Sequence, residues 1–152
     1  MKKQKGFSLI ELLIVVAIIL IIAAIAIPNL IKSKMAANEA SAVGSVRTIN
    51  TSEVAFASAC PNIGFTGLIT DFGAAGPCAP ARSLLDPQLV TGTKSGYTFT
   101  LGGATGNPVV TYTVTASPIN ASSGTRGFFS DESGVIRYNV AGVATVASPA
   151  LQ

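Results

Sequence analysis

From Phe7 to Ile31 the chain carries a single charged side chain, Glu11. A helix needs about 20 mostly apolar residues to cross a bilayer, and this run is long enough. A short basic tip, Met1-Lys2-Lys3-Gln4-Lys5, precedes it. An acid inside such a span is costly and calls for a partner, so Glu11 is the feature that most needs a physical reason.

Charge sets the direction of the span and excludes one class of partner. The net charge is +3, but three of the ten basic residues are Lys2, Lys3 and Lys5, leaving seven against seven acidic ones. Without the basic tip the chain is neutral and lacks the cationic patch that nucleic acid requires. Three lysines before the span against Lys32 and Lys34 after it put the tip in the cytoplasm and the remainder outside. A secretory signal peptide is the simpler reading of such an N-terminus. Its apolar core is only about 7–15 residues and ends at a small-residue cut, whereas this run is longer and holds Glu11.

Helix is expected to continue to residue 59, because residues 29–59 contain no proline and only Gly44. Ser41, Ser45, Thr48 and Ser52 share one side at helical spacing. Val43, Val46, Val54 and Ala57 lie roughly opposite, so the valine side is expected to pack on a globular body. The hydroxyl side is either solvated or a surface for close packing in an assembly. Pro61 ends the helix. Residues 60–95 read as a connecting loop, with one short helical turn near residues 81–85. Cys60 and Cys78 fall in this exported part, where an isolated pair forms a disulfide. A metal pair is the rival, and a chain with no histidine offers a poor zinc set.

Alternation begins near residue 96. Tyr97, Phe99 and Leu101 share a face, as do Val110, Tyr112 and Val114, across a loop holding Gly102, Gly103 and Gly106. Phe128 and Phe129 lead into a tight turn at Asp131-Glu132-Ser133-Gly134, and a last strand is expected over residues 143–146. The fold class is α+β: a long N-terminal helix packed at its outer half on an antiparallel sheet of four or five strands. The expected division is a leader at 1–6, a span at 7–31, outer helix at 32–59, loop at 60–95, sheet at 96–147 and a loose tail at 148–152.

Lys5-Gly6-Phe7-Ser8-Leu9-Ile10-Glu11, with the apolar run behind it, resembles the prepilin signature of the type IV pilin family, which includes pilins and the pseudopilins of type II secretion. The resemblance implies cleavage between Gly6 and Phe7 by a prepilin peptidase, methylation of the new Phe7 amine, and pairing of Glu11 with the Phe7 amine of a neighbouring subunit. Pro28 resembles the proline at which many pilin helices are locally melted, although Leu20 stands where the family often has glycine. The segment from Gly124 to Asp131, with Gly134 and Arg137, is similar to a hairpin near the end of some pilin-like proteins. The implied partners are copies of the chain in a helical filament, the peptidase, an assembly platform with its ATPase, and the inner membrane before assembly. The implied final location is an extracellular pilus.

Each feature has a plainer reading. Glu11 could be an interfacial acid that reaches water or stays protonated. Asp131 and Glu132 supply too few oxygens for calcium and read as a turn. Asn50-Thr51-Ser52 and Asn120-Ala121-Ser122 fit the glycosylation pattern, which is common by chance. Asp71 and Asp86 sit in loops without an evident partner. No nucleophile elbow, phosphate loop or zinc helix occurs, so neither an enzyme nor a cofactor is expected. Two other readings of the whole chain are a secretion pseudopilin and a plain single-span protein with an exported β-domain.

Overall fold

A computed structural model describes residues 6–140 and 142–151. The basic tip at 1–5 lies outside the described residues, so Gly6 alone represents the expected leader. The chain divides into two compact units between Lys34 and Met35.

Helix α1 runs unbroken from Leu9 to Ala59, through Pro28. It starts two residues later than Phe7, at Leu9 directly after the polar residue Ser8, and ends where Cys60 and Pro61 follow. Thr48, Thr51 and Ser58 donate their hydroxyls to the carbonyls of Gly44, Arg47 and Val54, so these helix-neutral residues are absorbed without a break. In the first unit α1 is exposed all round, apart from a half-buried Ala23.

The second unit is built on a five-stranded antiparallel meander in the order β1 to β5. Its strands are β1 Thr93–Lys94, β2 Tyr97–Gly106, β3 Val109–Pro118, β4 Gly127–Asp131 and β5 Arg137–Asn139. Alternation puts Tyr97, Phe99 and Leu101 of β2 and Tyr112, Val114 and Ala116 of β3 into one core. α1 adds Ala42, Val46, Ile49 and Phe56 to that core. β4 is buried on both faces through Phe128, Phe129 and Ser130.

The packed stripe of α1 overlaps the expected valine side only in part, through Val46 and the half-buried Val43. It consists of Glu39, Ala42, Ser45, Val46, Ile49, Ser52, Glu53 and Phe56, at helical spacing, while Val54 is exposed. Small serines on this stripe, Ser45 and Ser52, allow close approach, and Ser52 reaches the Leu84 carbonyl; beside the stripe, Ser41 donates to Ser95 Oγ. The two acids are buried because backbone donors meet them, a tertiary fact that hydrophobic spacing does not carry.

Other differences are local. The glycines at 102, 103 and 106 lie inside an irregular part of β2, and Asn107 and Pro108 make the turn. Val110 is exposed near that turn although it keeps the alternation. The loop contains two short helical turns, Ile69–Phe72 and Ala79–Ala81, and a one-turn helix α2, Pro87–Val90, capped by Asp86; the turn expected near residues 81–85 is absent. Residues 143–146 form no strand. The tail is tied down instead of loose: Pro149 and Leu151 exchange backbone hydrogen bonds with Tyr138 and Ile136, and Ser148 accepts from Arg137. It covers the otherwise open edge of β5.

Cys60 and Cys78 are bonded, with Cα atoms 6.0 Å apart and a separation of 18 in sequence. Replacing both by alanine is expected to lower stability by about 3 kcal/mol, through the restored freedom of the unfolded loop. Guanidinium denaturation of the full chain in detergent measures this.

Candidate functional site

Two constellations stand out, one in each unit. At the start of α1, Glu11 Oε2 accepts a hydrogen bond from the Ser8 N–H at 2.8 Å. Ser8 precedes the first helical residue, so Glu11 sits at the third position of the helix and reaches back to the cap, half of a capping box. The Ser8-x-x-Glu11 spacing was a legible signal for this bond, which sequence reasoning on the buried acid passed over. In the single chain, therefore, Glu11 is satisfied locally. Phe7 beside it is 82% exposed. A Cβ at Gly6 would meet open space, so packing within the chain places no demand for glycine there. Pro28 lies inside the exposed part of the helix.

In the second unit, Glu39 binds the segment before β4. Its Oε1 accepts from the Thr125 N–H at 2.9 Å, the Thr125 hydroxyl at 3.0 Å and the Arg126 N–H at 3.2 Å. Its Oε2 pairs with Arg126 Nε at 2.7 Å. Burial pushes the Glu39 pKa up, but these donors, led by the Thr125 N–H and the Arg126 guanidinium, outweigh it and bring the carboxyl below its ordinary value. The Arg126 guanidinium also lies 5.9 Å from the ring centres of both Phe128 and Tyr138. Tyr97 donates to the Arg126 carbonyl at 2.8 Å, and burial, with the Glu39 charge adding, pushes its phenol up to about 12. Glycine is required nearby because a Cβ at Gly124 would fall 2.1 Å from the Tyr97 hydroxyl. The segment from Gly124 onward thus closes on α1 and on the sheet.

The remaining singled-out residues have structural partners. Asp86 caps α2 through the Gln88 N–H and pairs with Lys94 at 3.1 Å, and those two contacts hold its carboxyl below the usual range. Its expected lack of a partner is therefore corrected. Asp71 accepts from the Thr66 hydroxyl, a second partner that loop context alone did not reveal. Asp131 closes the turn: its carbonyl accepts from the Gly134 N–H, and its side chain accepts from the Ser133 N–H and hydroxyl. The Asn50 amide is half-buried, donating to Ser130 Oγ and accepting from Tyr112, whereas Asn120 is exposed and accepts from Ser122 and Ser123. The two glycosylation patterns therefore differ sharply in access.

These features define a chain with an exposed, membrane-length N-terminal helix joined to a small α+β body. Residues 1–27 match the family described as the prokaryotic N-terminal methylation motif. The type IV wide pilus major component PilA4 of Thermus thermophilus is 59% identical over 39 residues, 26% of this chain and 30% of that protein. The type IV major pilin protein PilA of Myxococcus xanthus is 46% identical over 56 residues, 37% of this chain and 26% of that protein. The chain covers less than a third of the length of each of these relatives. No solved structure matches it significantly. Motif and relatives together support a type IV pilin.

Glu39→Gln removes the charge that four donors share, and is expected to cost about 2 kcal/mol at neutral pH. Because the folded-state pKa of Glu39 is lowered from 4.5, its contribution is present above that value and is lost as pH falls toward the folded one. Denaturation of wild type and variant at pH 7 and pH 3 should show the gap closing on the acid side.

Proposed function

We propose that this protein is the structural subunit of a type IV pilus, polymerising through its N-terminal helix into an extracellular filament. The observation that carries this reading is that every large apolar side chain from Phe7 to Ile31 is uncovered in the single chain, from 43% to 82% exposed. Hydrocarbon covers such a surface before assembly, and copies of the same helix cover it afterwards. Each copy then presents one surface to the next in a head-to-tail contact, which propagates as an open filament.

On this reading residues 1–6 are the leader, and a prepilin peptidase cuts between Gly6 and Phe7 and methylates Phe7. Residues 7–31 are the span and filament core, with Pro28 placed where the helix adapts on assembly. Residues 32–59 form the outer helix, 60–95 the disulfide-bearing loop, 96–147 the sheet and 148–152 the tail. Glu11 then exchanges its local Ser8 contact for the Phe7 ammonium of a neighbour, which offsets the cost of an acid in hydrocarbon and aligns the two helices. The precursor sits in the inner membrane with its tip in the cytoplasm, and a platform and ATPase supply the work of extraction. The role is structural and not catalytic.

Imaging sheared surface fibres and weighing their subunit tests the proposal. The expected mass is that of a chain beginning at Phe7 and carrying one methyl group. Gly6→Val is expected to leave the leader attached; normal trimming of that variant would overturn the processing assignment. Glu11→Ala and Glu11→Gln are both expected to abolish fibres or reduce them severely. The glutamine keeps an acceptor for the Ser8 N–H but loses the charge, so normal fibres from Glu11→Gln would leave Glu11 only its helix-capping role.

A further inference from the structure

Glu53 is the second acid on the packed stripe of α1, and its surroundings differ from those of Glu39. It is completely buried. Its Oε2 accepts one hydrogen bond, from the Thr66 N–H at 2.9 Å, while Oε1 is buried with no partner. Among the described residues no lysine or arginine pairs with it. The groups that face it are the Asp71 carboxyl, from the turn Ile69–Phe72, and the Tyr112 phenol of β3, which is bonded to Asn50. Thr66 joins the two acids, giving its N–H to Glu53 and its hydroxyl to Asp71. One turn further along α1, Phe56 packs edge-on against Phe72, with ring centres 5.5 Å apart.

We propose that Glu53, Thr66 and Asp71 form a proton-operated latch that holds residues 61–72 against α1 while Glu53 is neutral and loosens that segment when Glu53 is ionised. An unpaired buried carboxylate with a second acid close by is costly, whereas the neutral acid is tolerated. Burial, opposed by the Thr66 N–H and reinforced by the Asp71 charge, pushes the Glu53 pKa up from 4.5 to about 7. The native state therefore holds a proton that the opened state releases, so closure weakens as pH rises through the interval between those values. The disulfide from Cys60 to Cys78 brackets the segment, whose contact with the sheet is the bridge from residues 63–65 to Val109 of β3. The latch operates in the single chain and does not depend on the filament reading.

Hydrogen exchange of the full chain in detergent, read by mass spectrometry at pH 5.5 and pH 8 and corrected for the intrinsic rate, tests this. With a closed-state pKa of about 7 and an opened-state value of 4.5, opening of residues 61–72 is expected to rise roughly thirtyfold between the two pH values. Peptides from residues 137–151 are expected to stay unchanged. Glu53→Gln keeps an acceptor for Thr66 without a titrating proton, and its exchange is expected to be flat with pH. Asp71→Asn removes the facing charge and is expected to shrink the response, which provides a second arm should Glu53→Gln fail to fold. Equal exchange of the wild-type segment at both pH values, a full response retained in Glu53→Gln, or an equal rise across residues 137–151 would each overturn the latch.

Discussion

The contact on which the second unit depends is the one Glu39 makes with the chain entering β4. A carboxylate on the packed side of a helix is expensive unless donors surround it, and here two backbone N–H groups, a hydroxyl and a guanidinium converge on it. This fixes β4 in register against α1, and β4 in turn pairs with both β3 and β5. The aromatic core would by itself accept small slips of the helix along the sheet, because dispersion is not directional. A buried carboxylate held by four donors tolerates much less displacement.

Glu39 and Glu53 lie on the same stripe of one helix, yet their environments push their acidities in opposite directions. Four donors, one of them cationic, favour the charged form of Glu39. Complete burial, opposed by a single N–H and reinforced by a neighbouring acid, raises the Glu53 pKa to about 7. The difference lies in burial, which is complete only for Glu53, and in what the loops bring to each position, since the residue type is the same. One acid works as a fixed rivet, and the other is free to respond to its surroundings.

The N-terminal part of α1 obeys another logic. Its residues need no partner within the chain to be helical, because the run of Leu, Ile, Val and Ala from Leu12 to Ile27 satisfies its backbone internally, which is what a membrane demands. Its side chains find no cover within the chain either. Glu11 turns back to Ser8 in this state, a bond of moderate strength that a full positive charge could displace. The start of the helix is therefore complete as a helix and incomplete as a surface.

The primary structure alone determined the membrane-length helix, its continuation to Ala59, the alternating strands, the turn at Asp131 to Gly134 and the pairing of two lone cysteines. Each of these rests on local periodicity, on backbone restriction or on the count of a residue type. Only the tertiary structure decided which side of α1 packs, why Glu39 and Glu53 face inward, and how the tail covers β5. Those outcomes depend on donors from residues 66, 125 and 126, which meet α1 only after the chain has turned back. Hydrophobic spacing places apolar groups, but it is blind to a buried acid whose partners lie far away in sequence.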